Sequence, residues 1–89
     1  MTNNILSQSE NLQEKESIEI DARNLPCPLP LLKLKQALNK VSDGVKITVF
    51  ATDPASSRDF KAFVALTNHQ LSIQKIDDAF KFDIIKQAH

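Results

Sequence analysis

Three of the four prolines in this chain stand within five residues, Pro26-Cys27-Pro28-Leu29-Pro30, and no regular element can run through them. Proline fixes φ, carries no N–H and pushes the residue before it out of the helical region, so a strand must end before the cluster and a helix must start inside it. Upstream, Ile18, Ile20 and Ala22 alternate with Glu19 and Asp21, the period of a strand with one buried face. Downstream, Leu31, Leu34, Leu38 and Val41 recur at helical spacing while Lys33, Gln36 and Lys40 take the other side. Pro28 and Pro30 fit the first helical turn, where N–H groups have no partner within the helix. Ser42-Asp43-Gly44, with the single glycine of the chain, is expected to end this helix in a left-handed terminus.

Val45, Ile47, Val49 and Ala51 alternate with Lys46 and Thr48 and predict a second strand. Thr52-Asp53-Pro54 supplies helix-start chemistry, and Ser56 with Asp59 three residues on offers a capping-box-like alternative at the same boundary. Phe60, Phe63, Val64 and Thr67 then line one face of a second helix running to about Asn68. Leu71 and Ile73, a turn at Asp77-Asp78-Ala79, and Phe80, Phe82 and Ile84 read as a closing hairpin. The order β-α-β-α-β-β, in strands with one apolar and one polar face, predicts an α/β two-layer sandwich: a mixed four-stranded sheet with both helices on one face. Phe50, Ile76 and Ile85 fall out of phase and are expected on the open face. Residues 1–16 are polar and read as a disordered tail, leaving 17–89 as a single domain.

A chain of 89 residues makes one small domain, in which a large enclosed active-site cavity is not expected. Eleven Lys and Arg against eleven Asp and Glu leave no net charge and hence no global field to gather nucleic acid or an anionic membrane. Trp and Tyr, the residues best suited to stacking bases, are absent. The first residues lack the basic and apolar regions of an export signal, and no stretch reaches the roughly 18 apolar residues of a membrane span. One cysteine cannot form an internal disulfide and suits a reducing compartment, so the expected location is the cytoplasm. There is no P-loop, no G-x-G-x-x-G, no H-E-x-x-H and no cysteine pair for zinc, so neither a metal nor a cofactor is expected. His69 and His89 have no companion ligands, and His69 reads as structural or solvent-facing.

Cys27 stands out for its surroundings. A sulfur just before a helix N-terminus is expected to lie exposed and to be more acidic than a free thiol, with Pro26, Pro28 and Pro30 holding it in a fixed presentation. Free cysteine is also among the most buried residue types, so a packed, inert Cys27 is the alternative. Acyl transfer needs an adjacent oriented base, and self-contained thiol redox chemistry needs a second cysteine. Sulfur carriage needs little more than an accessible thiolate that takes the outer sulfur of a persulfide and passes it on. Arg23, Lys33, Arg58 and Lys61 are the cations expected to form a local patch beside it, docking an acidic partner surface or steadying an anionic persulfide.

The stretch from Asp21 to Lys35, with Leu25-Pro26-Cys27-Pro28-Leu29-Pro30 at its centre, resembles the Cys-Pro-x-Pro signature of the TusA/SirA family of sulfur carriers. Ala51-Thr52-Asp53-Pro54-Ala55-Ser56-Ser57-Arg58-Asp59 resembles that family's approach to its second helix, and His69 matches a histidine often found after it. The likeness spans about residues 18 to 86. It departs at Asn24, where the family usually has glycine; asparagine tolerates left-handed backbone angles better than most residues.

The resemblance implies a cytoplasmic relay rather than a self-contained enzyme. A cysteine desulfurase loads Cys27 with persulfide sulfur and a sulfur-accepting protein takes it on, toward thiolated tRNA or related sulfur pathways, with no direct nucleic acid or membrane binding. Two other readings stay open. One is a regulatory or interaction module that docks through the open sheet face with Cys27 inert, which a thiol titrating at or above the free value favours. The other, a thiol redox protein, is disfavoured by the missing second cysteine.

Overall fold

The computed structural model describes residues 17–87. The tail expected over 1–16, and His89, lie outside the described residues. Six elements follow in the order expected: β1 (Ser17–Ala22), α1 (Leu29–Leu38), β2 (Lys46–Ala51), α2 (Ala55–Val64), β3 (Gln70–Ile76) and β4 (Ala79–Ile85). They form one four-stranded sheet in the order β1-β2-β4-β3. β1 and β2 run parallel, as a helical crossover between them allows, and β4 is antiparallel to both of its neighbours, so the sheet is mixed.

The register shows how alternation became a core. Ile20 lies beside Val49, Val49 opposite Phe82 and Phe82 opposite Ile73, an apolar row crossing all four strands. Both helices cover that face: Leu34 and Leu38 of α1 and Phe60 of α2 join Ala22, Ile47, Val49, Ala51, Phe82 and Ile84 in one buried cluster. Phe60 stacks on Phe82 with ring centroids 4.3 Å apart, a contact that ties α2 to the middle of the sheet. On the outer face the matching row is Glu19, Thr48, Asp83 and Ser72. There the Thr48 hydroxyl donates to Asp83 Oδ1 at 2.6 Å. Phe50 and Ile85 emerge half-buried on this face and Ile76 exposed, as their phase required.

Both helices end earlier than their apolar spacing predicts. α1 stops at Leu38 because the Lys86 ammonium takes the carbonyls of Leu38 and Val41, at 2.7 and 2.6 Å, that a longer helix would need. Gly44 is therefore not a helix cap. It sits at φ +87 in a separate turn closed by Val45 N–H donating to Ser42 O, and its own N–H donates to Lys86 O at 2.8 Å. α2 stops at Val64, where the Thr67 hydroxyl and the Thr67 N–H both donate to the Val64 carbonyl. Among the described residues no helix is long and apolar enough to cross a membrane.

Candidate functional site

The turn leaving β1 sets the approach to the site. Leu25 N–H donates to Ala22 O, and Asn24 inside that turn has φ +68, a left-handed angle that asparagine adopts at modest cost. The Asn24 N–H donates to Thr52 Oγ1 at 2.9 Å, joining this turn to the loop after β2. Pro26 O then accepts Leu29 N–H and Pro28 O accepts Leu32 N–H, so α1 begins directly behind the sulfur. The Cys27–Pro28 peptide is cis. Pro28 caps the helix, Pro30 lies buried in its first turn, and Pro26 stays exposed.

Cys27 is exposed, as its position at the helix start predicts. Two carboxylates hold it. Its N–H donates to Asp53 Oδ2 at 2.9 Å, and its thiol donates to Asp59 Oδ2. The other Asp53 oxygen accepts Ala55 N–H at 2.8 Å, so one side chain starts α2 and fixes the Cys27 backbone. These backbone donors hold the Asp53 carboxyl below the usual carboxylate range, the Cys27 N–H contributing most.

The expected acidity of the thiol is reversed. Asp59 pushes the Cys27 thiol up, first through the hydrogen bond it accepts and then, after desolvation, through its charge; Asp53 adds to this and Arg58 opposes it. The helix start offers little compensation. Pro28 and Pro30 have no N–H, and the Leu29 N–H is spent on Pro26 O, so the prolines that fix the sulfur also strip donors from the helix end nearest it.

The four cations expected around the thiol are placed differently from one another. Arg58, exposed on α2, is the one whose charge acts on Cys27. Arg23 is turned to Asp21, donating from Nε at 2.9 Å and from a terminal nitrogen at 3.0 Å. Lys33 is exposed on α1, and Lys61 is exposed in the last turn of α2. Sequence reasoning gave Asp59 only a capping-box-like place with Ser56 at the start of α2. Its signal was available: Ser56, Asp59, Phe60 and Phe63 form an i, i+3, i+4, i+7 stripe, and Asp59 is the one charged member of an otherwise inward face. Also missed were Leu29 and Leu32, which stand 41% and 45% exposed on the first turns of α1 that follow Cys27 in the chain.

A groove of about 640 Å³ lies at the other end of the helices, lined among others by Leu38, Phe63, Leu66 and His69. His69 serves the fold there: Nδ1 accepts Gln87 N–H at 3.0 Å and its own N–H donates to Thr67 Oγ1. Among the described residues no group of three His, Cys, Asp or Glu side chains could hold a metal ion.

Comparison with known proteins identifies the family and the fold. The family model described as Sulfurtransferase TusA matches residues 18–86. The chain is 43% identical over 70 residues, 79% of its own length and 92% of the relative's, to the sulfur carrier protein TusA of Allochromatium vinosum. A putative sulfur carrier protein of Neisseria meningitidis serogroup A is 44% identical over 52 residues, 58% of this chain and 70% of that one. The crystal structure of a SirA-like protein from Desulfitobacterium hafniense shares the fold, with a TM-score of 0.70 at 24% identity over 76% of this chain and 95% of that one.

Proposed function

The chain belongs to the TusA sulfurtransferase family, and from that premise we propose that Cys27 carries persulfide sulfur from one protein to another. The observation that carries the reading is an exposed thiol fixed in front of a helix by Asp53, in a chain that matches the family from β1 through β4. The Cys27 sulfur, once deprotonated, attacks the outer sulfur of a persulfide on a cysteine desulfurase. A new S–S bond forms at Cys27, the donor's S–S bond breaks, and the donor thiolate leaves and takes up a proton. The same exchange with an acceptor thiol returns Cys27 to its starting state, so no net oxidation occurs and no cofactor is required.

The acceptor is a further relay protein, with thiolated tRNA as one destination, in a reducing cytoplasm where a lone thiol persists. Leu29 and Leu32 supply apolar contact to the partner, and Arg58, with Lys33, Lys61 and Arg23 further out, supplies complementary charge. Incubation with a cysteine desulfurase and free cysteine is expected to add the mass of one sulfur atom to the chain and none to Cys27→Ser. A wild-type chain that stays unloaded while Cys27 remains open to alkylation sinks the reading.

One observation favours a second reading. The thiol is held up rather than down, the behaviour anticipated for an inert Cys27 in a module that docks through the open sheet face around Phe50 and Ile85. Partner binding unchanged in Cys27→Ser and lost in Phe50→Asp decides for that module.

A further inference from the structure

We propose that Asp59 guards Cys27, keeping it a protonated thiol until a partner's Lys or Arg pairs with the Asp59 carboxylate, so that only a sulfur donor bearing a cation beside its own sulfur gains rapid access. This deepens the relay reading and rests on it.

The geometry separates two tasks between two carboxylates. Asp53 holds the backbone N–H and so the position of Cys27, while Asp59 accepts the thiol hydrogen and so holds its proton. Asp59 reaches the sulfur from α2, thirty-two residues along the chain, because it shares the inward stripe with buried Ser56 and Phe60, whose burial fixes the rotation of the helix. The charged groups acting on the sulfur are Asp53 from the loop before α2, and Arg58 and Asp59 from α2 itself; α1 contributes a helix start depleted of free N–H donors. Arg58 alone does not offset the two carboxylates, since the thiol remains held up.

A guard of this kind slows reactions in general. For each unit by which a thiol is raised, thiolate falls tenfold while its intrinsic nucleophilicity rises about threefold, leaving a net loss of about three- to fourfold in rate near neutral pH. A docked cation cancels the Asp59 charge and competes for its oxygen. The Cys27 S–H then releases its proton, the new thiolate attacks the donor's outer sulfur, and the proton count closes on the departing donor thiolate. Between partners the guarded thiol resists stray electrophiles and oxidants, which act on the thiolate.

The test uses the full chain and small probes that carry no persulfide. Alkylation by neutral iodoacetamide is followed against pH for wild type and Asp59→Asn, and rates are compared for cystamine, a cationic disulfide, and dithiodiglycolate, an anionic one. The wild-type midpoint is expected above the free-thiol value of about 8.5 and that of Asp59→Asn below the wild-type one, with neutral-pH alkylation rising about three- to tenfold. Cystamine is expected to outpace dithiodiglycolate severalfold in wild type, and the ratio to shrink in the variant. An unchanged midpoint or an unchanged ratio overturns the proposal. If Asp59→Asn does not fold, a wild-type midpoint at or below about 8.5, or a wild-type ratio near one, overturns it equally. Sulfur loading is read separately: a guarded thiol that never accepts sulfur sinks the relay reading, and a loaded chain with an unguarded thiol sinks the guard.

Discussion

The Cys27 N–H and the Asp53 carboxylate meet at 2.9 Å across twenty-six residues of chain, and this bond is what makes the sulfur-bearing turn and the start of α2 one structural unit. Because that bond and the one from Ala55 depress the folded-state value of Asp53, its contribution to stability is complete above the unfolded carboxylate value of about 3.9 and is lost as pH falls through the depressed value. Asp21, lowered to about 2 by the hydrogen bonds from Arg23, titrates in the same acid range. Asp53→Asn is therefore expected to be less stable than wild type by urea denaturation near neutral pH, and the gap to narrow as pH falls below the usual carboxylate range. A gap that stays constant from neutral to acid pH would show that the charge of Asp53 is not what holds the turn.

Asn24 occupies a left-handed angle, φ +68, and ties its N–H to Thr52. Glycine has no Cβ to object at that angle, so Asn24→Gly is expected to fold with stability close to wild type. Asn24→Ala is expected to lose roughly 1–2 kcal/mol, the cost of a left-handed residue with a Cβ and no local side-chain hydrogen bond. Denaturation midpoints of the two variants check this, and equal losses would mean that the backbone angle is not the deciding feature.

Lys86 closes the far end of α1 by donating to the carbonyls of Leu38 and Val41. A cation at a helix C-terminus also meets the negative end of the helix dipole. Lys86→Met keeps the apolar stem and removes the charged donors, and is expected to cost about 1–3 kcal/mol, with amides near the end of α1 exchanging faster. Cys27 alkylation, at the opposite end of the helix, is expected to stay unchanged.

The order of elements, the buried face of every strand and the exposed position of Cys27 were legible because they follow from period and from proline chemistry, both local in sequence. Helix ends were not. Leu38 and Val64 end their helices through Lys86, forty-eight residues from Leu38, and through Thr67, and side chains that capture carbonyls leave no mark on an apolar pattern. The acidity of the thiol failed for the same reason. A helix start predicts a stabilised thiolate, but the outcome depended on Asp59, thirty-two residues away, and on prolines whose missing N–H groups weaken the very effect that their presence announced.

Ser56 is 1% exposed in the first turn of α2, and its hydroxyl has no hydrogen-bond partner among the described residues. A buried hydroxyl left unpaired forfeits its hydration without return, a cost of about 1–3 kcal/mol. Alanine removes the oxygen, keeps the Cβ and is the better helix former, while the Asp53 bonds that start α2 come from backbone groups and survive the change. Ser56→Ala is thus expected to stabilise the chain by about 1 kcal/mol, a rise in Tm of roughly 4–8 °C for a domain of this size. The adjoining stripe position Asp59 keeps its bearing, so the pH profile of Cys27 alkylation is expected to match wild type. Ser56→Val, which adds volume to a site already enclosed by the core, is expected to destabilise instead. A fall in Tm for Ser56→Ala would mean that the hydroxyl is satisfied in solution.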